Sequence, residues 1–185
     1  MRMRRSALPV PNSPDKTGGV SWVHFGDLHM TTREQENGRD FHSLVDDVNR
    51  VIAGSPSFAY LPGDNADHGG AEEYELVRDG LDQLRLPWFT IVGDHDVHPR
   101  SHANSLQYMM PMAFYSFESG ACRFFALASF ASDDPKVFGL SKEQLEWLRR
   151  ELALARTAGK YCALLLPLLP ERITRDCRSP PRSDS

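Results

Sequence analysis

An α/β fold built on a parallel sheet is predicted by three observations. Short apolar runs alternate with amphipathic helical patterns through the first half of the chain, in the order strand–helix–strand–helix–strand. Each of the first three runs ends in a glycine followed by an aspartate, at Gly26-Asp27, Gly63-Asp64 and Gly93-Asp94. The 185 residues are 41% hydrophobic and 25% charged, enough for one domain with a sizeable core. Strands joined through helices in this order run parallel, by right-handed crossovers.

The elements follow in turn. Val20 to Phe25 is rich in β-branched and aromatic residues and stops at Gly26, which marks the first strand. Beyond a polar loop, Phe41, Leu44, Val45, Val48, Val51 and Ile52 recur at three- and four-residue spacing, the apolar face of a helix. Gly54, Ser55 and Pro56 end that helix. Ser57 to Leu61 is the second strand, closed by Pro62-Gly63. Tyr74, Val77, Leu81 and Leu84 form a second helical stripe, with Glu72, Glu73 and Glu75 as a solvated start matched to the helix dipole. Pro87 to Val92 is the third strand, and the segment holding His98 and His102 reads as a solvated loop.

The second half reads differently. Residues 114–117 and 122–130 flank a Ser119-Gly120 turn and predict a hairpin. Ser141 with Gln144 three residues on predicts a capping box. Leu145, Leu148, Leu152 and Ala155 would be the buried face of the helix it starts. Gly159 ends that helix, and Tyr161 to Leu166 reads as a buried strand. Residues 1–18 are expected to be a flexible leader and 170–185 a disordered tail, leaving a domain over 19–169.

Composition excludes several function classes. A formal net charge of -4 gives no basic footprint for a nucleic-acid partner. Cys122, Cys162 and Cys177 are too few and too scattered for a disulfide framework or a cysteine zinc site, and their odd number suits a reducing compartment. The most apolar run, Tyr161 to Leu169, is far short of the ~20 residues that span a bilayer. No apolar stretch follows Arg2, Arg4 and Arg5 as a secretory signal requires. A cytoplasmic protein with no membrane partner is the expectation.

The chemistry sits where the strands end. A parallel sheet aligns its carboxyl ends along one edge, where open α/β proteins bind ligands. Asp27, His29, Asp64, Asp94 and His95 are therefore expected to converge there. The glycine before each aspartate is expected to let the chain turn sharply. Crowded carboxylates repel one another unless a cation neutralises them. Mixed carboxylate and imidazole donors suit divalent ions such as Mn²⁺, Fe²⁺ or Zn²⁺.

The series Asp27-Leu28-His29, Gly63 through Asp67, and Gly93-Asp94-His95-Asp96 resembles the signature of the calcineurin-like metallophosphoesterases. The likeness covers roughly residues 20–166. Its Phe-Tyr-Ser-Phe strand at 114–117 and its helix from Glu143 to Leu148 look most like the branch containing cyclic-nucleotide phosphodiesterases. The resemblance implies an αββα sandwich and a hydrolase carrying two divalent metal ions. It places Asp27 and His29 on the first ion, Asp64 between both, and Asp94 on the second. His95 would be the general acid or a transition-state stabiliser, with Asp67 orienting it. The implied substrate is a small phosphoester, diester or monoester, with a cyclic nucleotide among the candidates, attacked by a metal-activated water. His68, His98 and Arg100 are candidate substrate contacts.

Two departures from that pattern bear on activity. Asp94 stands where the family has asparagine, which adds negative charge and removes an amide donor. The family also supplies histidines after the third motif, whereas no histidine of this chain follows His102. The last strand runs instead into Pro167. The expectation is an impaired second metal site in a domain incomplete on its C-terminal side, with an altered or truncated end. The alternative function is that of a non-catalytic relic binding at most one metal, weakly.

Overall fold

The computed structural model describes residues 8–9, 19–52, 56–97, 101–110, 112–129 and 139–167. Of the expected leader, only Leu8–Pro9 (β1) falls among these residues; the expected tail lies outside them. The strand–helix alternation is present as read. β2 (Trp22–His24), β3 (Phe58–Leu61) and β4 (Trp88–Thr90) form a parallel sheet with β3 in the centre. Its register sets Val23 beside Ala59 and Tyr60 beside Phe89. The crossovers run through α1 (Glu36–Asp47) and α2 (Ala71–Leu81). A second sheet has the order β1, β5 (Tyr115–Ser119), β6 (Cys122–Ala126), β7 (Tyr161–Leu165). Its β5–β6 pair is the expected antiparallel hairpin, and α4 (Lys142–Thr157) leads from it into β7, parallel to β6.

The two sheets face each other because their inward residues, two apart along each strand, are large and aromatic. Phe58 and Tyr60 from β3 meet Phe117 from β5 and Phe124 from β6. Phe117 lies stacked on Phe89 with centroids 3.7 Å apart, and Phe58 meets Phe117 edge-on at 5.0 Å. The opposite face of β3 presents Ala59 and Leu61 to Phe41, Val45, Tyr74, Val77 and Leu81 of α1 and α2. Both faces of β3 are thus covered, which is why its sequence is continuously apolar rather than alternating. On the far side of the second sheet, Phe125 and Leu127 pack on Trp147, Leu148 and Ala155 of α4. The layers run helix, sheet, sheet, helix, the αββα sandwich that the family resemblance implies.

Among the described residues, local structure differs from the sequence expectation in several places. The first helical stripe is narrower than expected: α1 gives way to a π-helical turn over Val48–Ile52, whose wider winding leaves Val51 68% exposed while Val48 stays buried. Leu44 and Leu145 are exposed, and Gln144 and Trp147 share the buried face of α4 with Leu148 and Ala155. Ser141 Oγ accepts from the Gln144 N–H at 3.1 Å, but the Gln144 side chain does not close a capping box. It is buried, and its amide bonds both the N–H and the carbonyl of Ala128 at 2.9 Å. The expected loop after the third motif contains a helix, α3 (Ser101–Tyr108). β7 is an edge strand, with Tyr161 74% exposed, rather than a buried one.

Candidate metal centre

Three loops leave the carboxyl ends of β2, β3 and β4 and are bound to one another mainly through backbone. The His29 N–H donates to the Asp64 carbonyl at 3.0 Å, the Met30 N–H to that of Asn65 at 3.1 Å, and the Asp67 N–H to that of Met30 at 3.1 Å. Asn37, at the start of α1, donates its side-chain amide to the carbonyls of Leu28 and His29. The third loop is tied to the second by one buried carboxylate. Asp96, fully buried, accepts from the N–H groups of Asn65 at 3.2 Å, Ala66 at 3.2 Å and Gly93 at 3.0 Å, and from the Tyr74 hydroxyl at 2.9 Å. Sequence reading saw Asp96 only as the last letter of a motif. Its one available signal was Tyr74 in the facing helix, an apolar stripe position that carries a hydroxyl.

These ties hold the backbone in a costly shape. Asp27, His29 and Asp64 have φ of 54°, 42° and 51°, the left-handed region that L-residues avoid. Such strain costs of order 1–3 kcal/mol per residue and persists where the surroundings over-determine it. The glycines act differently from the expectation of sharp turns. Only Gly63, at φ 112°, has a positive angle among the three that precede the aspartates. Gly26 and Gly93 permit close approach: a Cβ on Gly93 would lie 2.2 Å from Asp64 Oδ1, and one on Gly26 would lie 2.4 Å from the ring of Pro62.

Of the five side chains expected to converge, Asp27, His29, Asp64 and His95 fall into two overlapping groups, joined there by Asp67. One donor atom each from Asp27, His29 and Asp64 lie within 4.8 Å of one another, as do those of His29, Asp67 and His95. The His29 and His95 rings meet edge-on at 4.4 Å. Asp94 belongs to neither group, yet its charge raises the pKa of both Asp64 and His95, so it lies close by. Asp64 is held above the usual carboxylate range. Partial burial is the main cause, the His95 N–H bond at 3.0 Å opposes it, and the charges of Asp94 and Asp96 add to it. His95 is also pushed up, chiefly by its bond to the Asp67 carbonyl at 3.1 Å, against a small burial penalty and with help from the Asp64, Asp94 and Asp67 carboxylates. A carbonyl only accepts, so His95 carries its hydrogen on Nδ1.

Asp67 makes contacts on both sides of that bond. Its Oδ1 lies 3.2 Å from His29 Nδ1 and 3.5 Å from His95 Nδ1, and its Oδ2 lies 3.3 Å from His68 Nδ1. His68 stands at the rim of the site, its ring also 3.3 Å from Glu73. Glu73 is not the solvated residue expected: its side chain is 13% exposed and accepts from the N–H groups of His68 and Gly70, closing the start of α2. His98 and Arg100 lie outside the described residues, as does the side chain of His102.

The donor chemistry fits a divalent ion at Asp27, His29 and Asp64. Two carboxylates and one imidazole converge there on a backbone held in a strained form, and a cation would favour the charged form that partial burial and the neighbouring carboxylates disfavour at Asp64. A second ion would find Asp64 and Asp94 on these loops. The carboxyl end of β7 offers it Leu166 and Pro167, neither of which has a side-chain donor.

Comparison with known proteins agrees with this architecture. No curated protein matches the chain in sequence. In fold it is similar to the crystal structure of a dimetal phosphatase from Danio rerio, with a TM-score of 0.65 at 13% identity, covering 80% of this chain and 69% of that one. At that identity the likeness is one of fold. The family model for calcineurin-like phosphoesterases matches residues 21–166, a span that holds both sheets apart from β1 and all three donor-bearing loops. This chain belongs to the calcineurin-like phosphoesterase family.

Proposed function

We propose that the chain hydrolyses a small phosphoester in a metal-dependent manner, with a diester favoured over a monoester. The observation that carries this is the convergence of Asp27, His29, Asp64, Asp67 and His95 at one sheet edge, on loops strained at three of the donors. Asp27, His29 and Asp64 would hold the first divalent ion, and Asp64 with Asp94 the second; Mn²⁺, Fe²⁺ and Zn²⁺ suit these donors. When bound, such ions supply Lewis acidity toward phosphoryl oxygens and lower the pKa of a coordinated water.

The chain's own groups supply the rest. With Nδ1–H engaged by the Asp67 carbonyl, His95 has Nε2 to give a proton to the leaving oxygen. Its raised pKa keeps the ring protonated to higher pH, which suits a general acid. Asp67 positions that ring through its carbonyl, while its carboxylate fixes His29. His68 at the rim, with His98 and Arg100, would contact the substrate phosphate. A cyclic nucleotide fits the proposed class. A cytoplasmic setting accords with the free thiols Cys122 and Cys162, and no helix among the described residues is long and apolar enough to cross a membrane.

The test is turnover of a chromogenic bis-aryl phosphate with added Mn²⁺. Release of the aryl alcohol above background, lost in Asp64→Ala, is the expected result. Absence of both turnover and bound metal would overturn the proposal. A second reading, one bound ion without turnover, is favoured by Leu166-Pro167 at the end of β7. Calorimetric titration showing a single weak Mn²⁺ site in a chain without turnover would establish it.

A further inference from the structure

We infer that His29, Asp67 and His95 form a separate cation site, one that takes a borderline ion of the Zn²⁺ class and acts as a brake on the proposed hydrolysis. The geometry is the first argument. Zn²⁺ binds nitrogen and carboxylate oxygen at about 2.0–2.2 Å, so two ligands on a tetrahedral ion lie about 3.3 Å apart. The His29 Nδ1 and His95 Nδ1 atoms stand 3.2 Å and 3.5 Å from the same Asp67 Oδ1. These distances bracket the ligand spacing. The first is within hydrogen-bond reach, whereas the second is long for an N–H···O hydrogen bond, whose usual distance is about 2.9–3.0 Å.

The donor set is the second argument. Two imidazoles and one carboxylate, with room left for water, is a ligand combination that holds Zn²⁺ or Fe²⁺. All three side chains are partly exposed, so an ion can enter from solvent. The Asp67 carbonyl, 3.1 Å from His95 Nδ1, lies on the same side of that ring. In the metal-free form the Nδ1 hydrogens face this space; on binding, a neutral ring moves its hydrogen to the other nitrogen, a protonated ring releases its Nδ1 proton to solvent, and the ion takes their place.

Two consequences follow. His29 is common to this set and to the Asp27–His29–Asp64 set, so an ion in one weakens binding in the other. An ion on His95 Nδ1 also replaces the hydrogen bond that positions the ring for proton donation. The braking effect thus rests on the role proposed for His95, whereas the existence of the site does not.

The experiment is calorimetric titration of Zn²⁺ into the metal-free full chain, as wild type, Asp27→Asn, His95→Gln and the double variant. Circular dichroism and thermal midpoints serve as folding controls; Asp27 and His95 are both exposed, so the variants are expected to fold. Asp27→Asn should retain a Zn²⁺ site that the added His95→Gln weakens by at least about tenfold, a lower bound set by what losing mere outer partners of a ligand costs. If the double variant binds Zn²⁺ as tightly as Asp27→Asn alone, or if Asp27→Asn binds none, the inference is overturned. If instead Asp27→Asn binds like wild type while His95→Gln abolishes binding, the inference stands and the ligand set of the proposed hydrolysis fails.

Discussion

Replacing Asp96 by asparagine is expected to be strongly destabilising, although Asp96 is not one of the proposed ligands. Its carboxylate is fully buried and receives three backbone N–H groups and the Tyr74 hydroxyl. Asparagine keeps the size but turns one acceptor oxygen into a donor. If the NH₂ takes the Oδ2 place, it faces the Gly93 N–H; in the Oδ1 place, it faces those of Asn65 and Ala66. A buried N–H left without an acceptor costs about 1–3 kcal/mol, and bonds to a charged acceptor exceed neutral ones by roughly 1 kcal/mol. The expected loss is therefore about 3 kcal/mol. For a chain of this size, 1 kcal/mol shifts the melting midpoint by about 2–4 °C, so the drop should be about 6–12 °C.

Thermal unfolding followed by circular dichroism reads this change directly. Tyr74→Phe provides the scale, because it removes one donor and leaves the carboxylate its three backbone N–H partners and the Asn65 side-chain amide. It should cost about 1 kcal/mol. A midpoint for Asp96→Asn within about 2 °C of wild type, or a larger loss in Tyr74→Phe than in Asp96→Asn, would refute the idea that this carboxylate holds the second and third loops together.

Two further outcomes are expected. Phe117→Ala empties the centre of the aromatic layer between the sheets and should cost about 3–5 kcal/mol in urea unfolding; a cost under about 1 kcal/mol would contradict the packing described. Burial pushes the phenols of Tyr60, Tyr74 and Tyr115 well above their ordinary range, so the stability they carry is full below about pH 10 and falls as the pH rises beyond it. Absorbance at 295 nm should show these three ionising only as the chain unfolds, and ionisation of all five tyrosines near pH 10 in a still-native chain would be the contrary result.

Much of this architecture is legible in residue order. Strand ends could be placed because glycine and aspartate interrupt apolar runs, and the helices because Phe41, Val45 and Val48 or Tyr74, Val77 and Leu81 recur at helical spacing. Errors arose where a side chain's partner is remote in sequence. Gln144 looked like half of a local cap, but its amide pairs with Ala128 across the fold. Val51 fitted the helical period, which the π-helical turn then broke. The convergence of donors could be foreseen from strand direction alone, since a parallel sheet brings like ends together. Their detailed pairing could not. Asp67 was expected to orient His95 with its carboxylate, and it uses its carbonyl for that ring while the carboxylate turns to His29.

The left-handed backbone at Asp27, His29 and Asp64 has a consequence for how such a chain can change over time. Where a functional side chain also packs or bonds within the fold, losing it harms stability too, so stability guards function. At these three the two are opposed: glycine would relax the backbone and delete the donor in the same step. A lineage selected only to stay folded should therefore give up positions 27, 29 and 64 before it gives up Asp96 or Phe117. The identity of those three residues in related chains then serves as a gauge of whether metal binding is still under selection.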